Sequence, residues 1–254
     1  MESKLLQFAL LVGAMGYGEM AIAKTPAQPN KILNLAFEAP DDGFDMVKTY
    51  NFYSGNIAEA IFEPLLKYDY LARRVVLVLN TAQALPKIEE EGKVYTFKIQ
   101  PGIYFTDDPA FKGKRRELTA QDYIYSIQRV SDPKNHSPTY SFIDGKIQGL
   151  EQVVANAKKT GKFNYDAPIS GLKALDKYTL QFTLTRADYN FPYILAYVTF
   201  SGTAREVVEF YGDRIGQHPV GTGAYQLSKY VPRSKIELVA NPDYRGFIWN
   251  YKST

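Results

Sequence analysis

The stretch HPVGTGAYQLSKYVPRSKIELVANPDYRG (218–246) places Gly221-Thr222-Gly223 where a phosphate-cradling loop could sit. Such loops follow a strand and open a helix, whose first amides hold the anion. Here the next residues, Ala224 to Tyr230, alternate as a strand does, and no Gly-Lys-Ser/Thr follows. The glycines therefore read as positions of positive φ or close backbone approach. Val231-Pro232-Arg233-Ser234 reads as the turn of a hairpin whose second strand is 235–239. Asp41-Asp42 and Asp107-Asp108 could serve as acid/base or metal pairs. Each lies beside turn residues, Gly43 and Pro109, where Asp is favoured for backbone reasons alone. Only His136 and His218 offer imidazole, and there is no cysteine. Thiolate nucleophiles, disulfides and cysteine-ligated zinc are therefore excluded, and no metal or cofactor is expected. A serine hydrolase needs a serine, a base and an orienting group within reach. No Gly-x-Ser-x-Gly occurs, and His218 precedes a proline.

The elements that would carry these groups mix helix and strand without a regular βαβ rhythm, which implies a mixed α/β (α+β) protein. The alternation of KILNLAF (31–37) predicts a strand. Ser54 or Asn56 would cap a short helix ending near Pro64. KVYTFKIQ (93–100) alternates as a strand, and LKALDKYTLQFTL (172–184) reads as strand, turn and strand. Thr119 would cap a helix through Val130, with Asp122 completing a capping box and Tyr123, Ile124, Ile127 and Val130 facing the core. Residues 150–159, 190–200 and 206–211 read as further helices, the last stopped by Gly212.

Totals narrow the class. The chain has 254 residues, 45% hydrophobic, with 30 Lys and Arg against 27 Asp and Glu. That balance lacks the concentrated basic stripe of a nucleic-acid binder, and KGKRR (112–116) reads as a solvated loop. Twenty tyrosines suit half-wet surfaces where a ring packs and its hydroxyl meets water or ligand. Residues 1–23 carry a short positive start, an apolar run too short to span a bilayer, and Ala21-Ile22-Ala23. This is the pattern of a secretory signal peptide cut after Ala23.

Six segments in order resemble the family 5 extracellular solute-binding proteins of bacterial ABC importers, the peptide- and nickel-binding type. They are SGNIAEAIFEPLLKYD (54–69), KVYTFKIQPGIYFTDD (93–108), ELTAQDYIYSIQRVSDP (117–133), GLKALDKYTLQFTL (171–184), HPVGTGAYQL (218–227) and IELVANPDYRG (236–246). The resemblance implies a type II periplasmic binding protein-like fold, incomplete in this chain, with the extra domain of the peptide-binding members. Residues 24–60 and 203–254 would form one lobe and 61–202 the extra domain (domain II). Members continue for hundreds of residues beyond the Asn-Pro-Asp-Tyr motif, so a truncated N-terminal portion is expected, with the opposite lobe (domain III) absent.

The resemblance further implies a periplasmic, monomeric receptor that does no chemistry. It would close on a solute and present it to an inner-membrane ABC permease. Peptide is the leading solute, with a nickel complex, haem or an oligosaccharide as alternatives; a secreted hydrolase or a structural domain are the rivals outside the binding class. Without cysteine no lipid anchor is expected. Peptide-type members hold extended ligands through backbone hydrogen bonds. The implied ligand-facing residues are Tyr50, Phe52 and Tyr53 for ring faces, Asn51 and Ser54 for polar contacts, and Tyr140 in a second loop. The alternative is that Phe52 packs in the core and Ser54 only caps a helix. Two departures stand out: TDDPAFKGKRRELTA (106–120) is longer and more basic than the family turn, and Thr139 rather than Tyr follows Ser137-Pro138.

Overall fold

The computed structural model describes residues 31–246. Its centre is a four-stranded antiparallel sheet in the order β3 (Lys87–Glu89), β4 (Val94–Lys98), β6 (Thr179–Thr183), β5 (Leu172–Ala174). Period-2 alternation sets which side of each strand is buried. Tyr95 and Phe97 on β4 and Leu180 and Phe182 on β6 lie inside, and the register pairs Tyr95 with Phe182 and Phe97 with Leu180. Phe97 meets Phe182 edge-on at 6.0 Å, and Phe182 meets Phe191, at the start of the short helix α4 (Phe191–Ile194), at 5.1 Å. Rings of this size each contribute roughly 1.5–3 kcal/mol on burial, which makes this stack the nucleus of the core.

Helix α2 (Ala120–Ser131) packs on β5 and β6. Its start matches the sequence reading: the Asp122 carboxylate accepts from both the backbone N–H and the hydroxyl of Thr119 at 2.7 and 2.8 Å. The expected apolar stripe is only part of the buried surface. Tyr125, Ser126, Gln128 and Arg129 are buried too, so α2 is enclosed on nearly every side, with Gln121 exposed in its first turn. A third helix, α3 (Leu150–Thr160), runs between two glycines in the left-handed region, Gly149 and Gly161.

Helix α1 (Phe52–Ile61) leads to the two-stranded β1 (Leu66–Tyr68) and β2 (Leu77–Leu79) pair. At the other end of the chain, α5 (Arg205–Tyr211) is followed by the hairpin β7 (Tyr225–Val231) and β8 (Lys235–Ala240). A register shift between Leu227 and Lys229 bends β7. Ala58, Ile61 and Phe62 make a small core with Leu227 and Leu238 of that hairpin, so α1 and the hairpin are packed together despite their separation in sequence.

Two expectations are corrected. Residues 31–36 form no strand, and Ile32, Leu33 and Leu35 are exposed. Alternation alone does not make a strand, because its N–H and C=O groups need a ladder partner, and the described residues supply none. The cap of α1 is Asn51, not Ser54 or Asn56: the Asn51 side chain accepts from the Tyr53 N–H at 2.8 Å, so the helix begins earlier than the apolar spacing suggested.

Candidate ligand-binding site

The approach to α1 is held by side-chain acceptors. Asp42 Oδ2 accepts from the backbone N–H groups of Tyr50 and Asn51 at 3.0 and 3.1 Å, and the Asp42 N–H donates to Ser54 Oγ at 3.0 Å. Asn51 Nδ2 donates to the Pro40 carbonyl at 2.7 Å. These bonds tie residues 40–42 to the residues that lead into the helix. They also present the aromatic run outward. Tyr50 is 86% exposed and Phe52 74% exposed, so Phe52 is not a core residue. Tyr53 is half-buried and stacks on Phe37 at 4.8 Å.

Ser54, read from sequence as either a ligand contact or a cap, is neither on this geometry. It is fully buried in the first turn, and its oxygen is turned to Asp42. Tyr140 sits apart, half-buried on a short 3₁₀ turn against the main core. Burial, followed by its hydrogen bond to Asp144, pushes its phenol pKa up. No hydrogen bond or ring contact among the described residues joins Tyr140 to residues 50–54.

The glycine stretch has a structural use. A Cβ on Gly221 would lie 2.0 Å from the Ile61 carbonyl oxygen, and one on Gly223 2.5 Å from that of Ala60. Neither glycine has positive φ, so close approach is what requires them. The Gly223 N–H donates to the Ile61 oxygen at 2.8 Å. The loop thus faces the carbonyl end of α1, which repels an anion. Beside it the buried Glu63 carboxylate accepts from Thr222 Oγ1 at 2.9 Å and from both terminal nitrogens of Arg245 at 2.7 and 2.8 Å. The two ends of the opening motif meet on this one carboxylate, and a phosphate site is ruled out there.

Asp41, Asp108 and His218 are likewise engaged. Asp41 accepts from the Tyr230 hydroxyl and from the Arg233 N–H, which binds it to the hairpin turn. Asp108 accepts from the Tyr211 hydroxyl at 2.9 Å; burial and this bond push the Tyr211 pKa up to about 12. His218 lies flat on the Tyr211 ring at 3.9 Å. The basic cluster is not a simple solvated loop: Arg116 grips Asp122 and Glu206, and Arg115 covers the Tyr104 ring and reaches Asp243. Among the described residues no group of three or more His, Asp or Glu is placed to hold a metal. Two cavities, of about 110 Å³ beside His218 and about 20 Å³ beside Arg129, are too small for a peptide. Tyr50 and Phe52 are among the most exposed large apolar side chains of the described residues.

Comparison with known proteins gives a consistent picture. The model of the bacterial extracellular solute-binding proteins, family 5 (middle) matches residues 76–252. The periplasmic oligopeptide-binding protein OppA of Salmonella typhimurium is 32% identical over 192 residues, covering 74% of this chain and 32% of its own length. Di/tripeptide-binding protein 2 of Pseudomonas aeruginosa is 28% identical over 255 residues, covering 94% and 42%. Among solved structures, the substrate-binding domain of an oligopeptide ABC transporter from Bacillus anthracis superposes with a TM-score of 0.67 at 23% identity, covering 83% of this chain and 38% of that one. The chain thus spans about a third to two fifths of the length of the proteins it matches.

Proposed function

Because the chain belongs to the family 5 bacterial extracellular solute-binding proteins, we propose that it supplies one face of a receptor that captures peptides and hands them to the permease of an ABC importer. The observation that carries this reading is the pair of exposed rings, Tyr50 and Phe52, on a backbone fixed by Asp42 and Asn51. A hydrogen-bonded, half-apolar edge beside a chain turn suits an extended ligand recognised through its backbone. The names of the relatives, which specify oligopeptides and di- or tripeptides, favour peptide over a nickel complex, haem or an oligosaccharide.

In this reading residues 24–60 and 203–254 form one lobe and residues 61–202 the extra domain. The four-stranded sheet falls inside the latter segment. Residues 1–23 direct export to the periplasm; they lie outside the described residues. The chain makes and breaks no bonds, and it acts as a monomer. The groups that a hydrolase would recruit are instead packed or hydrogen-bonded for structure, His218 against Tyr211 and Asp108 onto the Tyr211 hydroxyl. The experiment is competitive capture. The protein is incubated with a mixed-sequence pool of short peptides, nickel chelates, haem and oligosaccharides, and retained solute is identified by mass spectrometry. Selective retention of peptides is expected; retention of another solute class, or of none, would overturn the proposal.

A further inference from the structure

We infer that Asp42 is the positioning residue of the peptide site, an inference that rests on reading residues 50–52 as its ligand-facing segment. The Asp42 side chain is exposed, yet it is bonded at one oxygen to two successive backbone amides, those of Tyr50 and Asn51. Its own amide closes the loop by donating to Ser54 Oγ, inside the first turn of α1. Residues 40–42 and 50–54 therefore form one hydrogen-bonded unit, with Asn51 reaching back to the Pro40 carbonyl. The backbone that carries the two outward rings, Tyr50 and Phe52, is thus hydrogen-bonded in place without a ligand. Ordering a loop in advance removes part of the entropic cost of binding. The neighbouring Asp41 fixes the other side of the same unit by accepting from Tyr230 of β7 and the N–H of Arg233 in the hairpin turn.

A second consequence concerns which end of a ligand this edge receives. The start of a helix attracts negative charge through its free N–H groups and its dipole. Here Asp42 already supplies that charge, and the Tyr50 and Asn51 donors are taken by it. A peptide carboxylate placed here would meet the Asp42 carboxylate, so the segment meets the peptide along its length or at its amino end.

Two variants of the whole chain test the role, Asp42→Ala and Asp42→Asn. The readouts are amide hydrogen exchange at Tyr50 and Asn51 by NMR and affinity for a captured peptide in its free-acid and C-terminally amidated forms. Asp42→Ala is expected to raise exchange at those two amides and to weaken peptide binding, each by about tenfold. Other amides stay unchanged. Asp42→Asn, which keeps a side-chain carbonyl acceptor, recovers most of both. Amidation of the peptide leaves wild-type affinity within about twofold. Unchanged exchange in Asp42→Ala, or faster exchange with unchanged affinity, overturns the positioning role; a large loss on amidation overturns the assignment of ligand end. If the wild-type chain retains no peptide, the reading of the site falls, and the clamp stands or falls on the exchange data alone.

Discussion

Arg129 and Asp45 face each other as a fork on a fork, with both guanidinium nitrogens 3.0 Å from the two carboxylate oxygens and both side chains buried. Arg129 comes from the central helix α2, whereas Asp45 precedes α1. The pair therefore joins the first proposed lobe segment to the extra domain. Removing one partner leaves a buried charge alone. Arg129→Ala or Asp45→Ala is expected to cost about 3–5 kcal/mol in urea unfolding. An apolar double variant, Arg129→Met with Asp45→Leu, should recover much of that loss, since desolvation of two charges offsets much of their attraction. A loss in the double variant equal to the sum of the two single losses would show that the pair is not coupled.

The contact of Gly221 with Ile61 makes a different demand. The obstacle to a side chain at Gly221 is a backbone carbonyl 2.0 Å away, and a backbone group cannot swing aside as a side chain can. Gly221→Ala must separate the loop from the end of α1 and strain the Glu63 contacts with Thr222 and Arg245. We expect a loss of about 3 kcal/mol or more, at the upper end for overpacking. Gly55→Ala, where nothing lies near the added atom, serves as the control and should be stable or slightly improved. Thermal unfolding of the two variants side by side checks this.

What could be read from the sequence was what local chemistry decides. The Thr119–Asp122 capping box, the 225–240 hairpin and the strands around the Asp176-Lys177 turn follow from residues within a few positions of one another. What could not be read was set by partners far along the chain. Arg129 finds Asp45 across 84 positions and Arg245 finds Glu63 across 182, and no spacing rule announces either. The segment 31–37 shows the converse failure: its alternation is strand-like, but a strand is completed only by a neighbour. In the candidate site, the aromatic run was visible in sequence. The role of Asp42 was not, because an Asp beside a glycine reads as a turn residue wherever it occurs. The Asn51 cap carried a signal, a cap-type residue just ahead of the helix, but Ser54 and Asn56 carried the same signal one turn later.

Glu206 gives the chain an acid-sensitive contact. Burial alone would raise its pKa, but the Arg116 hydrogen bond and charge outweigh that and hold it below the usual glutamate range. A carboxylate depressed in the folded state adds stability that is fully present above its unfolded pKa, about 4.3, and is lost as pH falls through the lower folded value. Asp122, on the same guanidinium, runs the other way: burial outweighs Arg116 and raises its pKa, so its protonation favours the fold. The stability difference between wild type and Glu206→Gln should therefore be largest near neutral pH and shrink between about pH 5 and pH 3. Denaturant titrations across that range measure it, and a difference that grows on acidification would contradict the assignment.

Tyr50 and Phe52 should separate binding from folding. Both rings are mostly in water, so truncating either to alanine removes little buried surface and should change stability by no more than about 0.5 kcal/mol. If they form the ligand edge, each truncation should still weaken peptide affinity, by about 1 kcal/mol or more for an aromatic anchor. Two neighbours provide the opposite pattern. Tyr53→Ala loses the stack on Phe37, and Ser54→Ala removes the acceptor of the Asp42 N–H from a fully buried position. Those changes should lower the melting temperature, with Ser54→Ala costing about 0.5–1.5 kcal/mol for the lost hydrogen bond. Calorimetric titration with a captured peptide, run beside thermal unfolding for all four variants, distinguishes the two sets. Affinity that follows stability in every variant, with no loss specific to positions 50 and 52, would place the ligand on some other face of the molecule.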